Sequence, residues 1–253
     1  MNIDFGLTAK DYSRYRKGYP SELYERLKKY DVGVKDQSIL DLGTGTGYFA
    51  RGLAKQGANV TGVDISKALL EEAKKLDQES NVNIHYINSE AESLPFSSSK
   101  FDVVTAAQCW HWFQSEEVLK EIRRVLKKQG KLVISHLDWI PLDNNIVSQT
   151  EELILFYNPA WKGNGGTGVY PDWLTQVASS NFNNIETFTF DLYIKYNQEQ
   201  WRGRIRASAG VGASLSQDKI TKFDNQLKTL LQNKYANVIE IPHRVFCLIC
   251  NTN

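Results

Sequence analysis

The sequence predicts an α/β fold: a doubly wound, seven-stranded, mostly parallel sheet with an antiparallel last strand and helical cap insertions. Three observations predict it. The apolar run Ile39-Leu40-Asp41-Leu42 reads as a buried parallel strand and runs straight into Gly43-Thr44-Gly45-Thr46-Gly47, after which helical spacing begins. Further short apolar strands alternate with amphipathic helical patterns up to residue 136. Two late strand patterns then bracket a helical stretch, as a terminal hairpin carrying an insertion would.

Composition narrows the class. At 253 residues the chain is long enough for one large domain with a cap; 35–136 and 181–253 read as its core, and 1–34, 137–180 and 196–236 as the cap. A net charge of +1 gives no overall push toward nucleic acid or a membrane surface, and neither partner is expected. No signal peptide and no membrane-spanning run is visible. Three cysteines, Cys109, Cys247 and Cys250, are sparse and odd in number, which suits a reducing cytoplasm. The charge is uneven: residues 1–30 carry a net +3 and residues 195–244 a net +5.

Residues 5–20 cluster Tyr12, Tyr15, Tyr19, Arg14 and Arg16 before Pro20. An amphipathic terminal segment with packed tyrosines and solvated arginines accounts for the composition. Ser21 then caps a predicted helix through Tyr30. Glycines in the turn after the first strand let the backbone pass close under a ligand and take φ values that a Cβ forbids. The helix behind it offers free N–H groups to a ligand. The second strand is 59–64, ending on Asp64. An acid there can accept hydrogen bonds from both hydroxyls of a ribose; Asp64 or Ser66 could equally cap the next helix, 67–76.

Residues 84–87 read as the third strand and 101–107 as the fourth. Gln108-Cys109-Trp110-His111-Trp112-Phe113 leaves the carboxyl end of the fourth, where ligands sit in open α/β sheets. These aromatics either wall a small-molecule pocket, with His111 as a chemical participant, or belong to the core, with His111 a satisfied structural histidine. Residues 115–128 read as a helix capped by Ser115, closed by Lys127 and Lys128 and ended by Gly130; the fifth strand is 131–136.

Residues 137–172 break the regularity with Pro141, Pro159 and Pro171 and a glycine tract at 163–168, read as a mobile loop. A helix at 173–179, an alternating strand at 186–194, helices at 198–207 and 216–234 joined by a small, flexible link at 208–213, and a last strand at 244–251 complete the chain. Cys247 and Cys250 are three apart on a strand and face opposite sides, so they do not chelate one metal ion. No other ligand cluster is visible, and no metal is expected.

Asp41-x-Gly43-x-Gly45-x-Gly47 resembles the first motif of the class I S-adenosylmethionine (SAM) methyltransferases, whose fold is Rossmann-like. Tyr12-x-x-x-Arg16-x-x-Tyr19-Pro20 resembles the Y-x-x-x-R-P-x-Y-P stretch of small-molecule methyltransferases of the type 11 and trans-aconitate methyltransferase-like group, with Lys17 in place of proline. Ser89-Glu90-Ala91-Glu92-Ser93-Leu94-Pro95-Phe96 resembles that group's G-D/S-A-E-x-L-P-F, and Phe101-Asp102-Val103-Val104 its fourth strand.

The resemblance implies SAM as cofactor, S-adenosylhomocysteine (SAH) as product, and methyl transfer to a small molecule. It assigns Arg16 to the SAM carboxylate and Tyr12 and Tyr19 to a lid. It also places Asp41, Gly43, Thr44, Gly45, Asp64, Ile65 and Gln108 at the cofactor, with Glu90 toward the adenine amino group and the Ala91 N–H toward the ring. Tyr19, Trp110, His111 and Trp139 are expected to line the acceptor pocket. Arg202 and Arg206, in the basic stretch, are expected to draw a carboxylic acid, giving a methyl ester. Two other classes share part of this pattern: a nicotinamide oxidoreductase, against which Tyr48 stands where the third glycine belongs, and a non-catalytic SAM- or RNA-binding protein.

Overall fold

The computed structural model describes residues 9–252, with side chains from residue 11 onward except Tyr12. The lid assignment of Tyr12 therefore lies outside the described residues. Seven strands form one sheet in the order β3-β2-β1-β4-β5-β7-β6. They are β1 (Ser38–Leu42), β2 (Asn59–Asp64), β3 (His85–Asn88), β4 (Phe101–Ala107), β5 (Leu126–Trp139), β6 (Asn183–Asn197) and β7 (Val238–Asn251). β1 pairs in parallel with β2 and with β4, β2 with β3, and β4 with β5. The last strands run antiparallel, so the doubly wound architecture expected from the sequence is the one observed.

The chain groups into two compact units. One comprises Gly18–Leu137, Tyr170–Thr189 and Val245–Asn253 and holds the strand–helix repeats. Its helices are α2 (Ser21–Lys28), α3 (Tyr48–Ala54), α4 (Lys67–Ser80), α5 (Ser115–Val125) and α7 (Pro171–Ser179). Its core forms because β1 and β4 are apolar on both faces and α5 contributes one buried stripe, Val118, Leu119, Ile122 and Val125. The other unit comprises the described part of Met1–Lys17 with Asp138–Val169 and Phe190–Arg244. It contains α1 (Ala9–Tyr15), α6 (Ile146–Tyr157), α8 (Gln198–Arg206) and α9 (Gln217–Lys234), packed around Trp201, Tyr196, Phe223 and Leu227.

Several boundaries differ from the sequence reading. The first residue of α2 is Ser21; Pro20 is the cap and supplies no side-chain bond. α5 ends at Val125, with Arg123 and Arg124 in its last turn rather than Lys127 and Lys128. Leu126 already pairs with Phe101, and the register jumps before Lys131 meets Val103, so Gly130 sits in an irregular stretch of β5 and not behind a helix. The link at 208–213 is not a loose tether: Val211 and Ala213 are buried and the Gly210 carbonyl accepts from Asn158 Nδ2 at 3.0 Å. Small residues there permit close packing. β6 extends beyond both expected ends, and β7 begins earlier than expected, at Val238.

Candidate functional site

The carboxyl ends of β1, β2 and β4 converge on the glycine turn. Gly43, Gly45 and Gly47 all take positive φ, at 55°, 56° and 74°. A Cβ on Gly43 would come within 2.7 Å of Cys109 Cβ, and one on Gly47 within 2.3 Å of the Tyr86 hydroxyl. Both glycines are required by backbone conformation and by space. Thr44 N–H donates to the Val63 carbonyl, which ties the turn to β2, and Gly47 opens α3 in the left-handed conformation.

Two acids hold this turn. Asp41, fully buried, accepts from the hydroxyls of Thr44 and Thr105, each at 2.6 Å. Burial pushes its carboxyl up to about 6, with the Thr105 and Thr44 hydrogen bonds opposing and the Asp64 charge adding. Asp41 thus braces the turn from below. Asp64 accepts from Gly45 N–H and from Ser66 N–H, each at 2.8 Å. Its burial raises its pKa against those two backbone bonds. Ser66, not Asp64, caps α4, accepting from Leu69 N–H at 3.4 Å. Beside Asp64, Ile65 holds an apolar side chain 73 % exposed. Asn88 reaches back to the Asp64 and Ile65 carbonyls, at 2.9 and 2.8 Å, and so fixes the start of the segment that carries exposed Glu90 and buried Ala91.

Gln108 takes φ +66°, rare for a residue with a side chain. Its Oε1 accepts from Leu137 N–H at 2.9 Å and from the Tyr19 hydroxyl at 3.4 Å, and its Nε2 lies 2.9 Å from His136 Nε2. Tyr19 packs edge-on against Phe49, ring centroids 5.1 Å apart. Gln108 thus ties Tyr19, Leu137 and His136 together at the position where the sequence pointed to cofactor contact. Trp110, expected to line the acceptor pocket, is 2 % exposed, packs in the core and donates its indole N–H to Gln176 Oε1 at 2.8 Å. His111 and Trp112 are exposed beside it, and the His111 ring meets His136 edge-on at 5.2 Å.

The remaining expected residues belong to the other unit. Arg16 is half-buried there. The Trp139 indole donates to Glu151 Oε1 at 2.7 Å, and Glu151 Oε2 accepts from Gly165 N–H at 2.9 Å, so the glycine tract is pinned at one point. Arg202 and Arg206 are not an open basic cap. Arg202 pairs with Asp224 and Glu199; Arg206 pairs with Asp11, Asp224 and Glu199. Three carboxylates face two guanidinium groups, so their charge is spent within the unit.

Sequence reasoning missed Arg51. It is 6 % exposed, pairs with Asp77 at 2.8 Å and donates to the Thr46 and Ala73 carbonyls, clamping the glycine turn to α4. An arginine on the buried side of a helix was the available signal. Among the described residues no group of three His, Cys, Asp or Glu side chains could hold a metal ion, and no helix is long and apolar enough to cross a membrane.

Comparison with known proteins agrees with this geometry. Residues 40–134 match the family model described as a methyltransferase domain. Demethylmenaquinone methyltransferase of Thermotoga maritima is 34% identical over 147 residues, which cover 57% of this chain and 61% of that protein. Malonyl-[acyl-carrier protein] O-methyltransferase of Legionella pneumophila is 34% identical over 139 residues, 53% of this chain and 48% of the relative. The chain spans about half the length of several curated relatives it matches. Among solved structures, phosphoethanolamine N-methyltransferase 2 of Haemonchus contortus, in complex with S-adenosyl-L-methionine, superposes with a TM-score of 0.56. It is 20% identical, and the match covers 98% of this chain and 56% of that one. The match to the methyltransferase domain model lies in the unit that holds the strand–helix repeats, and the solved neighbour shares the Rossmann-like fold.

Proposed function

We propose that this chain is a SAM-dependent methyltransferase acting on a small molecule. One observation carries the reading. A carboxylate at the end of β2, Asp64, lies 2.8 Å from the N–H of Gly45 in a left-handed glycine turn at the end of β1, with the apolar Ile65 exposed beside it. That set fits an adenosyl ligand: an acceptor pair for ribose hydroxyls, an apolar surface for a base, and backbone close enough to pass under the chain between them. The Ala91 amide and Glu90 stand on the segment that Asn88 ties to the same strand end. Bulky Tyr48 after the turn disfavours a dinucleotide.

SAM brings an activated sulfonium methyl, so the chemistry itself belongs to the cofactor. The protein's part is to orient the acceptor for in-line displacement and keep water out. Asp41, Arg51 and Gln108 serve that end by fixing the floor of the site. A carboxylic acid acceptor, giving a methyl ester, was suggested by basic residues; the internal pairing of Arg202 and Arg206 removes them from that argument. The acceptor screen therefore runs carboxylic acids beside phenols and amines.

Calorimetric titration of the full chain with SAM, SAH and NAD, comparing wild type with Asp64→Ala, tests the reading. Adenosyl-ligand binding that weakens about tenfold or more in the variant is expected, roughly the worth of a charge-assisted hydrogen bond. Binding of NAD alone would overturn the assignment, and binding of neither ligand would remove its basis.

A further inference from the structure

Four side chains form one hydrogen-bonded chain across the ends of β4 and β5. Tyr170 Oη lies 2.6 Å from His136 Nδ1, His136 Nε2 lies 2.9 Å from Gln108 Nε2, and Gln108 Oε1 accepts from the Tyr19 hydroxyl at 3.4 Å. All four belong to the same compact unit. The proton positions follow from one fixed donor. Leu137 N–H can only donate, and it points at Gln108 Oε1 from 2.9 Å. The amide oxygen is therefore on that side, and Gln108 Nε2 must donate toward the histidine. His136 Nε2 is then an acceptor, and a neutral imidazole with an acceptor at Nε2 carries its proton on Nδ1. Nδ1–H donates to the Tyr170 oxygen.

This arrangement leaves no slack. A donor at His136 Nε2 would face the Gln108 NH2 group. Turning the amide over would instead set that NH2 group against Leu137 N–H. The single proton of the Tyr19 hydroxyl is shared between this amide oxygen at 3.4 Å and the Ser135 carbonyl at 3.3 Å. The imidazole is itself held: its ring lies edge-on to Trp173, centroids 5.7 Å apart, and Trp173 stacks on Tyr170 at 3.9 Å.

We propose that His136 is a positioning residue of this site: its Nε2 lone pair orients the Gln108 amide, whose oxygen anchors Tyr19 beside the glycine turn. The proposal rests on the methyltransferase reading for its consequence, ligand affinity, but not for the lock itself. His136 is not a proton acceptor from substrate in this role, since Gln108 occupies the nitrogen that a base would use.

Two conservative variants separate the acceptor from mere bulk. In His136→Gln the side-chain oxygen can reach the place of Nε2 and accept from Gln108. In His136→Asn the amide ends at the level of Nδ1, out of reach of Gln108. The readouts are hydrogen–deuterium exchange of peptides covering residues 17–23 in the ligand-free full chain, and SAH affinity by calorimetry. His136→Gln should match wild type in both. His136→Asn should speed exchange and weaken SAH about tenfold, the usual worth of a hydrogen bond left unmade at a buried group. Tyr19→Phe, which leaves His136 untouched, should reproduce the faster exchange even if a histidine variant folds poorly. Equal behaviour of the Gln and Asn variants, or unchanged exchange in Tyr19→Phe, overturns the proposal. If wild type binds no SAH while the exchange pattern holds, the methyltransferase reading fails and the lock stands.

Discussion

Replacing Asp41 by asparagine should make the protein more stable at neutral pH. The carboxyl is 1 % exposed, and its hydrogen bonds come from two neutral hydroxyls. Burial holds it at about 6, against 3.8 for an unperturbed aspartate. Between those values the folded protein keeps a proton that the unfolded chain has released. Asp41's contribution is therefore fully present below about 3.8 and is lost as pH rises through about 6. A gap of about two pKa units corresponds to about 3 kcal/mol at neutral pH. Asparagine has no charge to desolvate; it can accept from one threonine and donate to the other. Urea unfolding of both proteins from pH 4 to 8 gives the test, read as the difference between the two stability curves, in which every other carboxyl cancels. The variant should gain up to about 3 kcal/mol at pH 7.5, with the gain shrinking toward pH 4. A difference that does not change with pH, or a variant less stable at pH 7.5, would refute the reasoning.

Other perturbations reach the same unit by different routes. Arg51→Met strands Asp77 in a buried site and should cost about 3–5 kcal/mol in denaturant unfolding, with part of the loss recovered when Asp77→Leu is added; equal stability of the single variant and wild type would discount the clamp. Gly47→Ala meets Tyr86 and a φ of +74°, so a loss of roughly 1–3 kcal/mol is expected from overpacking, together with weakened SAH binding; an unchanged melting curve would contradict the geometry. Burial raises the Cys247 thiol and pushes Cys250 up to about 12, and Cys109 Sγ contacts the Leu42 carbonyl at 3.1 Å. No cysteine should react with a disulfide reagent at pH 8 until denaturant is added; rapid labelling of the native protein would show that the burial is wrong.

What the sequence revealed was local or periodic. The glycine turn, β4 and the acid closing β2 sit within short runs whose chemistry is complete in a few residues. What it concealed depends on partners far along the chain. Arg51 meets Asp77 26 positions on. Arg206 meets Asp11 195 positions back, so a pattern of spaced arginines looked like a surface when it was an internal network. Residues 208–213 looked loose because small side chains serve both flexible links and tight contacts, and only the packing distinguishes them. Lys128-Gln129-Gly130 carries a helix-end signature, yet the pairing of Leu126 with Phe101 takes the chain into the sheet earlier. Tertiary hydrogen bonds outweighed a local stop signal worth less.

Part of the cost of this fold falls where the ligand is expected. Gly43, Gly45, Gly47 and Gln108 hold positive φ at the ends of β1 and β4, and Asp41 carries its charge without a cationic partner among its hydrogen bonds. The left-handed Gln108 and the buried Asp41 charge each cost on the order of 1–3 kcal/mol, whereas the glycines take positive φ without a side-chain clash. The buried acid elsewhere in the same unit, Asp77, is paired with Arg51, and the left-handed Asn81 merely closes α4 in the surface position where asparagine is tolerated. The buried scaffold acid is thus charge-paired, while the site acid Asp41 is held by two neutral hydroxyls. A ligand that donates hydrogen bonds to Asp64 and lies along the glycine backbone would offset part of that strain. Stability gained by Asp41→Asn should therefore be accompanied by weaker binding of SAH, and that coupling distinguishes a strained binding site from a merely imperfect core.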